Sequence, residues 1–260
     1  YLSMPLLAWL VVQVMQPDAA TATGILVVGC VPGAMASNVL TLAARGNVSY
    51  SVSLTASATL LSPLVVPLAL WLTVDSDVDY DGRSAVEFLV VRIVTPVVLG
   101  HLLSRFVTSF RMLAQRFAST VANLAILAII AIAVALNRDG VRQASLHLLT
   151  GLVVINVGGY LAGYFGGAVF QLPERMRRAL TLEVGMQNAG AGIALAKQLF
   201  PDKPAAVVPC ILYTFGCMLT GTMLATFWQW TTPDDADTDA EQDTSSPGAG
   251  MSEPNRSEGS

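Results

Sequence analysis

The sequence predicts an all-α polytopic membrane protein, and three observations lead to this prediction. Hydrophobic residues make up 53% of the 260 residues and charged residues only 12%, about half the charge of ordinary soluble domains. The mean hydropathy is +0.60. Eight long apolar segments follow one another along the chain, and helices are the structures that satisfy backbone groups in lipid. This composition excludes a nucleic-acid-binding protein, a disulfide-stapled secreted domain and a typical soluble enzyme.

The eight apolar segments define the predicted organisation of the chain. Their approximate bounds are 1–16, 21–45, 49–74, 85–106, 117–137, 144–170, 177–200 and 204–230. They are continuously apolar rather than alternating, which favours helices over strands. We therefore predict a transmembrane transporter region over residues 1–230. Residues 231–260 are polar, with eight acidic residues against one basic residue, which predicts a disordered acidic tail.

Charges in the connections between segments predict the orientation. Lys and Arg concentrate in the second, fourth and sixth connections, which the positive-inside rule places in the cytoplasm together with the C-terminal tail. We expect a multi-pass protein of the plasma membrane. The first apolar run would extend ~24 Å as a helix, short of the ~30 Å hydrocarbon core. We therefore expect that the sequence is truncated at its N-terminus and begins part-way through a helix.

Two segments carry polar groups and flexible residues at mid-membrane depth. In the stretch Gly29–Asn38, Pro32 removes a backbone donor and Gly33 relaxes the chain, so we predict a helix break near residues 33–37. The stretch Glu183–Gly192 has the same ingredients, with several glycines beside a polar pair. Free backbone groups at this depth are tolerated only where they line a cavity inside the protein.

The placement of the two breaks favours a secondary transporter. The interrupted segments are the second and the seventh, an odd offset that makes equivalent helices run in opposite directions. An inverted repeat requires this arrangement, and transporters of that kind bind their substrates near the midplane at broken helices. We therefore predict an inverted-repeat transporter fold.

Glu183 is the most informative single residue, because a carboxylate near the bilayer centre costs at least ~2.5 kcal/mol. Two interpretations are open: it pairs with Arg177 or Arg178 at the helix end, or it binds a cation. Glu183 and Gln187 are four residues apart, a spacing that predicts a shared helix face.

Ser51 and Thr55 have the same four-residue spacing, although such hydroxyl groups also bond back to their own helix. Together with Ser37 and Asn38, all these residues form an oxygen set with one negative charge. That set suits Na⁺ better than a transition metal.

The same stretches carry a family resemblance. The run from Gly29 to Asn38, continuing through Arg45-Gly46-Asn47 to Ser62-Pro63, resembles the fourth and fifth helices of the bile acid:sodium symporter family. The run from Glu183 to Asn188 resembles that family's ninth helix. The resemblance covers residues 1–230 and implies a fold of ten helices, eight of them present here. It also implies panel and core domains and two broken helices that cross.

The resemblance also implies site residues. Two sodium sites would share Glu183, and the full predicted sodium-binding set is Ser37, Asn38, Ser51, Thr55, Glu183, Val184, Met186 and Gln187. A further glutamine ligand of the second site would fall just before Tyr1, so we expect that the sequence as it stands does not transport. The predicted substrate-binding residues are Asn188, Met35 and Cys217. Cys217 and Met218 stand where some relatives carry a His-Asn pair. We therefore do not expect this chain's substrate to be closely similar to theirs.

We therefore predict a sodium-coupled symporter of an organic anion, either a bile salt-like steroid or a small carboxylate resembling pyruvate or pantoate. Its expected partners are sodium ions, the anion and the lipid bilayer, with no nucleic acid, no transition metal and no cofactor. One alternative is a proton-coupled or uniport carrier of the same fold, similar to arsenite exporters. The others are an intramembrane enzyme, disfavoured because no His lies near Ser37 or Ser51 in the sequence, and a non-transporting membrane protein.

Overall fold

The computed structural model describes residues 1–74, 78 and 80–231, and these residues are helical with short connections. The helices are α1 (Ser3–Met15), α2 (Ala19–Cys30), α3 (Ala36–Ala43), α4 (Val48–Thr73), α5 (Gly82–Leu89), α6 (Thr95–Phe106), α7 (Thr108–Leu136), α8 (Arg138–Arg142), α9 (Leu146–Val169), α10 (Glu174–Gly185), α11 (Ala189–Leu199) and α12 (Val207–Thr231). A π-helical turn (Val90–Val94) joins α5 to α6, and a 3₁₀ turn (Pro204–Ala206) leads into α12. Apart from its first residue, the predicted acidic tail lies outside the described residues.

The prediction of an all-α polytopic membrane protein is confirmed. Four helical stretches in the described part of the chain are long and apolar enough to cross a membrane: Val48–Thr73, Gly82–Phe106, Leu146–Val169 and Pro204–Thr231. The second and seventh apolar segments each form two shorter helices, α2 with α3 and α10 with α11. The first break occupies residues 31–35, slightly earlier than expected. The inverted repeat and the number of spans stay predictions.

Nearby side chains satisfy backbone groups at the start of α2 and inside α4. Asp18 caps α2, because its carboxylate accepts hydrogen bonds from the backbone N–H groups of Ala20 and Thr21, both at 3.1 Å. Hydrogen bonding to Asp18, first from the Thr21 side chain, lowers the pKa of this carboxyl group. In α4, Pro63 cannot donate to the Thr59 carbonyl. The Ser62 hydroxyl group donates to that carbonyl instead, at 2.7 Å.

Glycines bring α9 against α10 at very close range. A β-carbon at Gly163 would lie 2.7 Å from the Thr181 Cα, and one at Gly159 would lie 3.0 Å from the Gly185 Cα. Both distances are too short for a side chain, so the backbones of the two helices touch directly. This seam holds the first half of the seventh segment against an unbroken helix.

Candidate functional site

The two helix breaks meet in space and complete each other's hydrogen bonding. The Ala34 N–H donates to the Met186 carbonyl at 2.7 Å, and the Asn188 N–H donates to the Pro32 carbonyl at 2.8 Å. Gly33 and Gln187 form an antiparallel bridge at the centre. Helix ends leave backbone groups without intrahelical partners, and here each break supplies partners to the other. The predicted crossing of two broken helices is therefore present in the structure.

Gly33 is required at this crossing because Glu183 occupies the space beside it. A β-carbon at Gly33 would lie 2.3 Å from Glu183 Oε1 and 2.9 Å from the Glu183 backbone oxygen. Contacts this short would force the carboxylate or the backbone to move. The break in the second segment thus gives the carboxylate from the seventh segment room to enter the crossing.

Glu183 binds hydroxyl groups rather than arginines. Its side chain is only 6% exposed, and Oε2 accepts hydrogen bonds from the Ser37 hydroxyl at 2.5 Å and the Thr55 hydroxyl at 2.7 Å. Arg177 and Arg178 instead pair with Glu174 at the start of α10, at 3.4 and 3.2 Å. The structure therefore does not support the interpretation of Glu183 as a helix-end ion pair.

The remaining hydroxyl and amide groups of the first predicted sodium set lie close by. Thr55 also contacts Asn38 Oδ1 at 3.3 Å and its own helix at the Ser51 carbonyl. The Ser51 hydroxyl lies 3.2 Å from the hydroxyl of Thr41, a buried residue that no sequence pattern singled out. All five predicted residues of this set are therefore gathered on α3, α4 and α10.

Two buried oxygens of the second set face the crossing without a partner. Within residues 1–74, 78 and 80–231, neither Glu183 Oε1 nor Gln187 Oε1 has a hydrogen-bond partner. Gln187 is 4% exposed, and its amide nitrogen donates to the Val184 carbonyl at 2.8 Å. Buried oxygens normally have partners, so these two oxygens leave an unmet need for a hydrogen-bond donor, a water molecule or a cation.

The structure corrects the reason for which Glu183 and Gln187 were grouped. The four-residue spacing predicted one shared helix face, but α10 ends at Gly185, and Met186 is already extended with φ −109° and ψ 102°. Gln187 therefore lies in the crossing rather than on the helix. Its position results from pairing with Gly33 and not from helical periodicity.

A cavity of about 240 Å³ adjoins this second oxygen set. Its lining comes from the start of the chain, the first break, α4 and α10, and it includes Glu183 and Gln187. Tyr1 also lines the cavity, and its hydroxyl group donates to the Ala58 carbonyl. The unpartnered oxygens thus border a space large enough to hold an ion with water.

The three predicted substrate residues lie in different surroundings. Met35 precedes α3 and is 61% exposed, whereas Cys217 is 2% exposed and donates to the Thr214 carbonyl. Asn188 is partly buried and caps α11, because its Oδ1 accepts from the Ala191 N–H at 3.1 Å. Met35 and Asn188 therefore stand at the N-termini of the two half-helices, while the Cys217 thiol is enclosed by protein.

Sequence reasoning missed two residues that hold the crossing from behind. Asn156 on α9 and Tyr213 on α12 both donate to the Gly185 carbonyl, at 2.8 and 2.7 Å. Both side chains are almost fully buried. Asn156 was visible in the sequence as an amide inside an otherwise apolar run, a feature that generally marks function within a membrane.

These features define a class: a polytopic helical membrane protein in which two interrupted helices cross beside one buried carboxylate and its neighbouring oxygen atoms. Comparison with known proteins gives the family. Residues 1–144 match the model of the sodium bile acid symporter family. The chain is also 32% identical, over 88% of its length and 70% of the relative's, to the uncharacterized sodium-dependent transporter YocS of Bacillus subtilis. The chain belongs to this sodium bile acid symporter family.

Other relatives carry related names. The chain is 28% identical to the probable sodium/metabolite cotransporter BASS1, chloroplastic, of Oryza sativa subsp. japonica, over 90% of the chain and 58% of that protein. It is 27% identical to sodium/bile acid cotransporter 4 of Mus musculus, over 77% of the chain and 47% of that protein. The chain spans only about half the length of several of these relatives. The family and these relatives are transporters. Their similarity supports the interpretation of this chain as part of a sodium-dependent transporter.

Proposed function

We propose that the protein is a sodium-coupled symporter of an organic anion, with sodium bound at the crossing of the two broken helices. The observation that carries this proposal is that the two carboxylate oxygens of Glu183 have different surroundings. One oxygen accepts hydrogen bonds from hydroxyl groups of α3 and α4. The other is buried without a partner in the described residues, as is Gln187 Oε1, and both residues line the same cavity. A carboxylate placed in this way can serve two ions, one on each side.

The first ion would lie among Ser37, Asn38, Ser51 and Thr55. Each hydroxyl group that donates its proton to another oxygen keeps lone pairs for a cation, so the hydrogen bonds to Glu183 are compatible with an ion nearby. The second ion would use Glu183, Gln187 and the carbonyls of Val184 and Met186. A carbonyl oxygen has two lone pairs, so each of these carbonyls can accept a hydrogen bond and also bind an ion.

The anion would bind beside the N-termini of α3 and α11. Helix N-termini carry partial positive charge, and both helices begin within a few residues of the Gly33–Gln187 bridge. Met35 and Asn188 stand there, and we propose that they contact the anion. Cys217, whose thiol group is enclosed by protein, would contact the anion only after a movement that exposes it. The substrate would be a bile salt-like steroid or a small carboxylate resembling pyruvate or pantoate.

Binding and transport would be coupled through the crossing. Sodium would neutralise the buried carboxylate and hold both breaks in one geometry, after which the anion would bind. Two sodium ions and one monovalent anion would carry one net positive charge inward, which gains ~2.3 kcal/mol per 100 mV of membrane potential. We place the protein in the plasma membrane with a cytoplasmic C-terminus, and the mechanism uses no cofactor besides the coupling ion.

A thermal-shift screen of the full-length protein tests this function. The protein would be melted in NaCl and in KCl of equal ionic strength, with small carboxylates and with sterol-like carboxylates. Sodium alone should raise the melting temperature by mass action, and the correct anion should add to that rise only when sodium is present. Equal melting temperatures in both salts, with every anion, would refute sodium coupling.

The proton-coupled or uniport alternative remains because a buried carboxyl group can also carry a proton. Uptake into vesicles at fixed pH, with external sodium replaced by potassium, separates the two mechanisms. A sodium symporter loses its uptake in potassium, whereas a proton-coupled or uniport carrier takes up the anion at the same rate in either salt. An imposed pH gradient without sodium serves as the converse test.

A further inference from the structure

We propose that Asn156 and Tyr213 are positioning residues that set the sodium affinity of the crossing without touching the ion. This inference rests on the proposed function. It starts from the carbonyl of Gly185, the last residue of α10, which accepts hydrogen bonds from both Asn156 Nδ2 and Tyr213 Oη. The two donors come from α9 and α12, which are both continuous helices.

These two hydrogen bonds occupy both lone pairs of the Gly185 carbonyl. That oxygen is therefore committed to α9 and α12 and is not available to an ion. The next carbonyl, that of Met186, points the other way, because it accepts the N–H of Ala34 in the opposite break. Holding the Gly185 carbonyl thus fixes the direction in which the chain leaves α10 and presents its following oxygens.

A second layer of hydrogen bonds fixes the orientation of Asn156. The Thr220 hydroxyl donates to Asn156 Oδ1 at 2.7 Å, so the amide nitrogen must face Gly185. The Tyr160 hydroxyl lies 3.1 Å from the Thr220 hydroxyl and 3.2 Å from the Cys217 carbonyl. The amide therefore cannot turn without breaking a buried hydrogen bond, a loss that typically costs more than the bond's net gain.

Close packing transmits this position to Glu183. A β-carbon at Gly185 would lie 2.1 Å from the Tyr160 ring, and one at Gly159 would lie 3.0 Å from the Gly185 Cα. The end of α10 therefore packs directly against α9 and has no space to shift along it. Because Glu183 lies only two residues earlier on the same helix, its distance from Ser37 and Thr55 depends on this packing.

Sodium titration of the melting temperature in the full-length protein tests the proposal. Tyr213→Phe removes one hydroxyl group and keeps the ring, and Asn156→Leu removes the amide at similar volume. Each variant should raise the half-saturating sodium concentration about fivefold, the factor that one typical hydrogen bond provides. The melting temperature in KCl reports any general loss of stability separately. Because Tyr213→Phe is the milder change, it keeps the test decisive if Asn156→Leu does not fold.

Tyr80→Phe is the matched control, because it makes the same substitution at a hydroxyl group that donates to the Pro67 carbonyl at 3.1 Å, outside the hydrogen bonds described above. Its half-saturating sodium concentration should stay within about twofold of the wild type. An unshifted Tyr213→Phe variant, or a Tyr80→Phe variant shifted as far, would overturn the positioning role while leaving sodium coupling intact. A wild-type protein that does not respond to sodium would overturn the proposed function and this inference together.

Discussion

Replacing Glu183 with glutamine separates charge from shape at the centre of the proposed site. The amide oxygen of Glu183→Gln can still accept the hydroxyl groups of Ser37 and Thr55, which now bond to Glu183 Oε2. The amide nitrogen then falls where Oε1 is buried without a partner in the described part of the chain. The variant therefore keeps the volume and places a donor where the proposal needs a ligand for a cation.

The expected loss of sodium binding is large. A unit charge 4 Å from a monovalent cation contributes about 4 kcal/mol at an effective dielectric constant of 20, or about a thousandfold in affinity. The sodium-free protein should change in the opposite direction. An ionised side chain at the membrane centre costs at least ~2.5 kcal/mol, and the neutral amide avoids part of that cost. The variant should therefore melt at the same temperature as the wild type in KCl, or higher.

Melting curves in NaCl and KCl, together with sodium-dependent uptake, measure both effects. At sodium concentrations of about 100 times Kd the wild type should gain about 2.7 kcal/mol, and Glu183→Gln should gain nothing. Glu174→Gln is the control on the same helix, because Glu174 is 41% exposed and pairs with arginines at the opposite end of α10. Sodium-dependent uptake retained by Glu183→Gln would refute the role assigned to this carboxylate.

Three further predictions address single contacts. Thr55→Val should raise the half-saturating sodium concentration about tenfold, because it removes a hydroxyl group 2.7 Å from Glu183. Thr59→Val is the control and should not shift it, because among the described residues the Thr59 hydroxyl bonds only to its own helix. Equal shifts in the two titrations would contradict this prediction. Gly33→Ala should abolish the thermal response to sodium, since the new methyl group would lie 2.3 Å from Glu183 Oε1; a normal response would show that the crossing has spare room. Asp18→Ala should cost about 1 kcal/mol of stability by removing the cap of α2. Because the pKa of Asp18 is lowered, the stability that the cap contributes is present at neutral pH and is lost as pH falls through the folded-state pKa. The melting temperatures of the two proteins should therefore converge in acid. A difference in melting temperature that does not change with pH would contradict the cap.

Much of the fold could be predicted from sequence because its causes are local. Long apolar runs become helices wherever lipid replaces water. The helices follow most of the predicted segments, but α7 begins at Thr108 rather than near residue 117 and so includes most of the predicted fourth connection. The break in the second segment follows from Pro32 and Gly33, since proline removes a donor and glycine lowers the cost of leaving the helix. The buried carboxylate could also be selected in advance, because its burial needs a compensating partner.

The grouping of Glu183 with Gln187 shows where local reasoning fails. Helical spacing assigned both residues to one predicted site, but the reason was wrong, because α10 ends between them. Gln187 reaches the site through its bridge to Gly33, far away in the chain. Spacing rules hold only while one regular element continues, and Gln187 lies where α10 has already ended.

By itself, the sequence determined the helical class, the positions of the two breaks and the isolated acid in the seventh segment, because hydropathy and backbone preference act over a few residues. Only the tertiary structure decided that the breaks meet and that Glu183 faces hydroxyl groups 128 and 146 residues away. It also decided that Asn156 and Tyr213 hold the end of α10. Those choices depend on close backbone packing between helices distant in sequence, such as the glycine seam of α9, and local patterns do not specify which helices come into contact.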